Sequence, residues 1–241
     1  MNIQLQILPL LLVLVLFLVA PVAIILAVSF WDYTEFSLIP DFVLTNYIEI
    51  FESGVTYSTY LNTFKFAFLG WFFTVVIGFK LAYFLAFHVR TLRWQIILFL
   101  ICTIPFWTSN IIRMIAWIPV LGRNGLVNSL LLELGVIGEP LEWLLYSDFA
   151  VILAFVHLYT LFMLVPIFNS MMRIDKSIIE AARDMGASSL QILINVIIPL
   201  CLPGIAIGTI FVVSLIMGDF ITVQAMSGGQ SASVGLAMNN K

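Results

Sequence analysis

The chain has 241 residues, of which 62% are hydrophobic and only 10% charged, with a net charge of −3. Soluble domains carry roughly 25% charged residues, and a water-exposed fold of this composition leaves large apolar patches. With a mean hydropathy of +1.13, the chain reads as a protein solvated by lipid.

A helix needs about 20 apolar residues to cross the hydrocarbon core. Residues 7–31 carry no charge and predict a first span over 7–30. A secretory signal ending at Ala27-Val28-Ser29 is the competing reading. The apolar run is long for such a signal, and no Lys or Arg precedes it. Segment 31–61 then holds Asp32, Glu35, Asp41, Glu49 and Glu52 and no basic residue. A second span is predicted over 64–87. It carries Lys65 and Lys80, and Lys80 lies near enough to the end to snorkel. His88, Arg90 and Arg93 form a short basic link.

A third span is predicted from Arg93 to Pro119, interrupted by Pro105 and Arg113. Segment 120–148 sets Arg123 against Glu133, Glu139, Glu142 and Asp148. Trp143 and Tyr146 among those acids suit a chain at the membrane interface. A fourth span over 149–172 is uncharged. Arg173, Lys176 and Arg183 follow, and a fifth span is predicted over 195–218. Prolines inside such spans are tolerated where neighbouring groups satisfy the freed carbonyls. Lys and Arg concentrate in cytoplasmic loops, so the N-terminus and both basic links are placed inside and the acidic segments outside. Cys102 and Cys201 lie in apolar runs and read as small core residues. His88 and His157 lack the neighbours of a metal site.

The loop after span four encodes more than a connection. Ser177-Ile178-Ile179-Glu180 fits a capping box. Ala181, Ala182 and Met185 continue a helix of about two turns, and Gly186 stands at a left-handed C-cap position. Ser188-Ser189-Leu190-Gln191 is a second capping box, opening a helix that runs to Pro199. Ala181 and Ala182 let a partner backbone come close, Ile178, Ile179 and Met185 supply an apolar anchor, and Arg183 and Asp184 set orientation. A loop helix packed on its own bundle is the other reading of these residues.

Glu180-Ala181-Ala182, three residues, Gly186, nine residues, then Val196-Ile197-Ile198-Pro199 resembles the EAA loop of binding-protein-dependent ABC importer permeases. Val196 and Ile198 replace that pattern's Ile and Leu. Pro105 to Asn110, Ile111-Ile112-Arg113 and Leu121 to Gly125 are further similar to the first permease subunit of spermidine/putrescine importers. The resemblance implies an all-α, polytopic transmembrane bundle with the type I importer permease fold. Five spans are visible, and a sixth is expected beyond Asn239-Asn240-Lys241. It implies a first helix and periplasmic segment over 1–60 and a permease core over 61–241, with the coupling loop at 173–199.

The resemblance implies that the helix at 178–185 is the coupling helix that docks in a cleft of an ATPase subunit, with Ser177, Gly186 and Pro199 counted among the coupling residues. The partners implied are a second homologous permease, two ATPase subunits, a periplasmic binding protein and membrane lipid, but no nucleic acid. ATP and magnesium would be bound by the ATPase subunits, with no cofactor in this chain, no catalysis by it, and a bacterial inner-membrane location. No Gly-x-x-x-x-Gly-Lys-[Ser/Thr] loop occurs in the sequence, as expected if ATP binds elsewhere.

Polar groups inside spans are functional candidates. Trp107, Asn110 and Arg113 follow the Pro105 break, Tyr159 and Thr160 lie midway along span four, and Asp219 and Phe220 close span five. Together they predict a cavity wall with aromatic faces and a carboxylate, suited to a polyamine. Interfacial anchoring by Trp107 and helix–helix hydrogen bonding by Thr160 are the structural alternatives. Related permeases carry ferric ion, phosphonates or opines. Outside this class, an ion-coupled secondary transporter calls for repeats with broken helices at mid-membrane. An intramembrane enzyme calls for a nucleophile or metal constellation.

Overall fold

The computed structural model describes residues 3–34 and 37–228. The expected sixth span falls beyond those residues, as do Asn239, Asn240 and Lys241. The described chain is helical apart from a short antiparallel hairpin, in which Asp32–Thr34 pairs with Ser37–Ile39. Two compact units are present, Met1–Tyr57 and Ser58–Lys241. Among the described residues, five helical stretches are long and apolar enough to cross a membrane: Ile7–Val28, Gly54–His88, Asn110–Glu133, Asp148–Met171 and Ser189–Gly218.

In the first unit, a π-turn at Val15–Val19 interrupts the helix just before Pro21. Proline lacks an amide and its ring crowds the carbonyl four residues back. A wider i→i+5 turn moves the ladder past that gap. Beyond this helix, the Tyr47 hydroxyl lies 2.7 Å from the Ser29 hydroxyl, and the Asn46 amide donates to the Trp31 carbonyl at 2.9 Å. These bonds tie the start of the external segment to the helix Thr45–Glu52.

The second span begins ten residues before its predicted start of 64, at Gly54, because polar residues such as Ser58 and Thr59 continue the helix. It ends in a π-turn at Phe84–His88. There the buried Gln95 donates its amide to the carbonyls of Leu85, Ala86 and Val89 at 3.1, 3.4 and 3.1 Å. Those carbonyls belong to the last turn, whose acceptors have no intrahelical donor. Near the other end, Lys65 pairs with Asp148.

The third span departs most from expectation. Instead of one helix over 93–119, the chain forms Leu92–Thr103, a 3₁₀ turn at Ile104–Trp107, an extended Thr108, and then Asn110–Ile115, Ile118–Leu121 and Leu126–Glu133. Pro105 and Pro119 each remove an amide from the ladder. The Thr108 hydroxyl satisfies the Pro105 carbonyl at 2.8 Å instead. Beyond these helices, the wholly buried Asn128 binds Gly122 O and both backbone groups of Leu141, pinning the segment that follows.

Span four is the axis of the second unit. Ala150, Val151, Ala154, Phe155, Leu158, Met163 and Ile167 on it are buried. Its main neighbour is span five, where Gly204 and Gly208 allow close approach. A Cβ on Gly204 would lie 2.5 Å from the Pro166 carbonyl oxygen, and one on Gly208 would lie 3.2 Å from the Met163 Cα. Small residues at helix contacts are how membrane bundles gain packing contacts without a hydrophobic driving force. Trp71 Nε1 donates to Thr209 Oγ1 at 2.9 Å, joining span two to span five.

Two local readings are corrected here. The short helix spans Lys176–Asp184, and its N-cap is Asp175 rather than Ser177. The separate helix ending at Pro199 and the fifth span starting at 195 are one continuous helix from Ser189 to Gly218. A π-turn at Leu193–Ile197, closed by Ile198 N–H donating to the Leu193 carbonyl, carries the chain past Pro199.

Candidate functional site

Two features at opposite ends of spans four and five carry the candidate residues. At the Met171 end, the Asp175 carboxylate accepts the Ser177 amide at 3.0 Å. That backbone hydrogen bond holds its carboxyl below the usual carboxylate range. At the far end of the short helix, Gly186 N donates to Arg183 O at 2.8 Å and Ala187 N to Ala182 O at 3.0 Å. With Gly186 at φ +85°, this pair of bonds is a Schellman motif, which a left-handed residue closes without Cβ strain when it is glycine. The Ser188–Gln191 capping box then forms as predicted, with bonds of 2.8 and 3.3 Å.

The helix between these caps has two faces. Ile179 and Ala182 are buried against the chain itself. Ser177, Glu180, Ala181, Arg183 and Asp184 are exposed, as are Ile178 at 45% and Met185 at 83%. The anchor read from sequence is therefore split: Ile179 and Ala182 fix the helix to the bundle, while Ile178, Ala181 and Met185 stay available. Pro199 is exposed and lies past the π-turn, away from this helix in sequence.

At the other end, a cavity of about 290 Å³ is lined by Asn110, Met114, Tyr159, Ser214, Asp219 and Thr222 among others. Asp219 terminates span five and caps the following helix, Phe220–Ser227. Its Oδ1 accepts the Thr222 amide at 2.9 Å. Its Oδ2 accepts the Thr222 hydroxyl at 2.6 Å and the Tyr159 hydroxyl at 2.5 Å. The carboxylate therefore joins span four to the helix Phe220–Ser227 and still contributes to the cavity wall. Arg113 is buried, donates to the Asn110 side-chain oxygen, and leaves its Nε without a partner.

Three of the sequence candidates, Asn110, Tyr159 and Asp219, thus meet in one chamber, with Arg113 orienting Asn110 from behind. Trp107 is 85% exposed and does not line it. The Thr160 hydroxyl is taken up by its own helix, donating to Val156 O at 2.5 Å. Phe220 follows Asp219 but is not a lining residue. Sequence reasoning missed Met114, Ser214 and Thr222. Thr222 carried a usable signal, since Asp219 and Thr222 stand three apart, the spacing of an N-cap and its N3 amide. Asp175 was missed although it too is a favoured N-cap residue just ahead of a helix.

No family model matches the sequence. Over 223 residues the chain is 34% identical to the spermidine/putrescine transport system permease protein PotB of Escherichia coli K12, covering 92% of this chain and 80% of that protein. It is 30% identical over 224 residues to PotB of Haemophilus influenzae, covering 92% of this chain and 77% of the relative. It is 29% identical over 208 residues to the inner membrane ABC transporter permease protein YdcU of E. coli K12, with 81% and 65% covered. The fold is similar to a chain in the crystal structure of a bacterial alginate ABC transporter bound to an alginate pentasaccharide-loaded periplasmic protein. That match has a TM-score of 0.71 at 18% identity, over 93% of this chain and 78% of that one.

Proposed function

The chain belongs to the family of ABC transporter permease subunits that includes the PotB proteins, and on that premise we propose that it forms half of a pathway importing a polyamine. It is a multi-pass inner-membrane component of an ABC importer. In the proposed assembly, a second homologous permease completes the pathway, two ATPase subunits hydrolyse ATP, and a periplasmic binding protein delivers cargo. The N-terminus lies in the cytoplasm, in keeping with the basic links at 88–93 and 173–184.

The observation that carries the cargo assignment is the chamber. The lining residues include one carboxylate, Asp219, and a tyrosine ring, and contain no Lys, Arg or His. A carboxylate attracts an ammonium group directly, and aromatic faces add about 0.5–2 kcal/mol each. The relatives named as spermidine/putrescine permeases support the same cargo. Ferric ion, an aminophosphonate or an opine are the alternatives within this importer class. In the proposed cycle, ATP-driven closure of the ATPases moves the Lys176–Asp184 helix through its exposed Ile178 and Met185. That motion alternates access to the chamber.

The test is ATP hydrolysis by the reconstituted transporter, with its binding protein loaded in turn with spermidine, putrescine, ferric ion and an aminophosphonate. Stimulation by the polyamines alone is expected. Stimulation by another ligand alone keeps the importer and removes the polyamine. Gly186→Asp places a side chain where φ is +85° and is expected to uncouple uptake from hydrolysis while the protein stays in the membrane. Normal coupling in that variant contradicts the role given to this helix.

A further inference from the structure

A second cavity, of about 540 Å³, lies on the Met171 side of the chamber, with Asn169, Ser170 and Arg173 among its lining residues. The two cavities share three elements and change over on each of them at one level. On the broken third span, Phe106 lines the second cavity and Asn110 the chamber. On span four, Phe162 lines the second cavity and Tyr159 the chamber. On span five, Phe211 lines the second cavity and Ser214 the chamber. The pairs on spans four and five are three residues apart, one helical turn along the same face, and the pair on the third span flanks its break. The polar residues of the chamber and those at the Met171 end of the second cavity are therefore separated by an apolar stretch, and three phenylalanines occupy its chamber-side end.

These rings are in contact. Phe162 meets Phe106 edge-on with centroids 5.4 Å apart, and lies 6.5 Å from Phe211 and 6.2 Å from Tyr159. The backbone is irregular at the same level. The third span is broken at Trp107–Ser109 directly after Phe106. Pro166, inside span four, removes the amide that would close on the Phe162 carbonyl. Irregular backbone at membrane depth is tolerated where it is buried in protein or lines a cavity.

We infer that Phe162, held between Phe106 and Phe211, is the constriction of the cargo pathway, separating the Asp219 chamber from the inner cavity and passing an elongated cation over its ring faces. The assignment to a cargo pathway rests on the importer function proposed above; the preference for a cation rests on the polyamine cargo. The ring edges exclude water while the pathway is closed. A cation that displaces them exchanges its hydration for aromatic faces, a substitution open to an ammonium group and not to an anion.

Two measurements on the intact transporter test the constriction and the cargo separately. In proteoliposomes, with Cys102→Ser and Cys201→Ala as background, Asn169→Cys and Ser214→Cys are each exposed to a membrane-impermeant thiol reagent from the ATPase side. Labelling is read by mass on this subunit. In the nucleotide-free state Asn169→Cys is expected to label and Ser214→Cys to remain unlabelled. Adding Phe162→Ala opens Ser214→Cys to the same reagent, and Phe211→Ala serves if that variant does not assemble. Labelling of Ser214→Cys with all three rings present, or none after their truncation, overturns the constriction whatever the cargo is. The second measurement is spermidine uptake by Phe162→Leu, which keeps bulk and removes the ring face. KM is expected to rise about 2- to 30-fold. An unchanged KM removes ring-face selection. Wild-type transporter that ignores spermidine refutes the polyamine cargo while leaving the labelling result in force.

Discussion

Tyr159 and Asp219 are brought together only by folding, and the 2.5 Å bond between them is accessible to a double-mutant cycle. Tyr159 is 4% exposed, so water does not readily replace its hydroxyl. A hydrogen bond to a charged group contributes about 1.5–3 kcal/mol, and Tyr159→Phe removes that bond while leaving the carboxylate charged. Asp219→Asn removes the charge from all three bonds that the carboxylate accepts. It also sets an amide donor among groups that donate, for a loss of about 2–4 kcal/mol with the N-cap included. Because both variants break one shared bond, the double variant falls short of the sum by about 0.5–3 kcal/mol.

The readout is hydrogen–deuterium exchange of residues 220–227 in the intact transporter, since local opening there is what the bond opposes. Protection in Tyr159→Phe falls roughly 10- to 150-fold. Strictly additive losses, or Tyr159→Phe protection within about twofold of wild type, refute the bond as a tie between span four and the helix Phe220–Ser227. Uptake separates this structural role from cargo binding. Tyr159→Phe keeps the negative charge and a near-normal cargo KM, whereas Asp219→Asn raises KM. Equal effects of the two on KM leave no cargo role for Asp219.

Two further substitutions probe the scaffold. Gly204→Ala sets a Cβ 2.5 Å from the Pro166 carbonyl oxygen, about 0.8 Å inside a normal carbon–oxygen contact. Backbone cannot rotate away as a side chain does, so spans four and five must separate, at about 1–3 kcal/mol. Half-inactivation temperature of the purified transporter is expected to fall, while Gly138→Ala, with nothing within 4 Å of its new Cβ, leaves it unchanged. An unshifted Gly204→Ala contradicts the close approach. Gln95→Leu strands the carbonyls of Leu85, Ala86 and Val89, a loss of about 1–3 kcal/mol. Faster exchange over residues 84–92 is the expected signature, and wild-type protection there excludes the clamp.

Where the physics is local, the sequence determined the outcome by itself. Its apolar runs required a membrane solvent, and the uncharged stretches before Trp31 and after Asp148 became spans close to where they were read. The short helix, its left-handed Gly186 and the Ser188–Gln191 box depend on residues within one or two turns of each other, so they too were legible. Ser177-x-x-Glu180 satisfies the spacing of a capping box, yet Asp175 reaches the first free amide from two residues earlier. Pro199 reads as a stop signal in sequence, but the π-turn before it shifts the hydrogen-bond ladder, and the helix continues into span five. Only tertiary structure decided which polar residues share a chamber. Asn110, Tyr159, Ser214 and Asp219 come from three segments, and the direction of each depends on breaks and crossings that no local pattern encodes. Trp107 shows the same limit from the other side: one residue past Phe106 on a broken helix, it faces away from both cavities, because a single position there turns a side chain by about 100–120°.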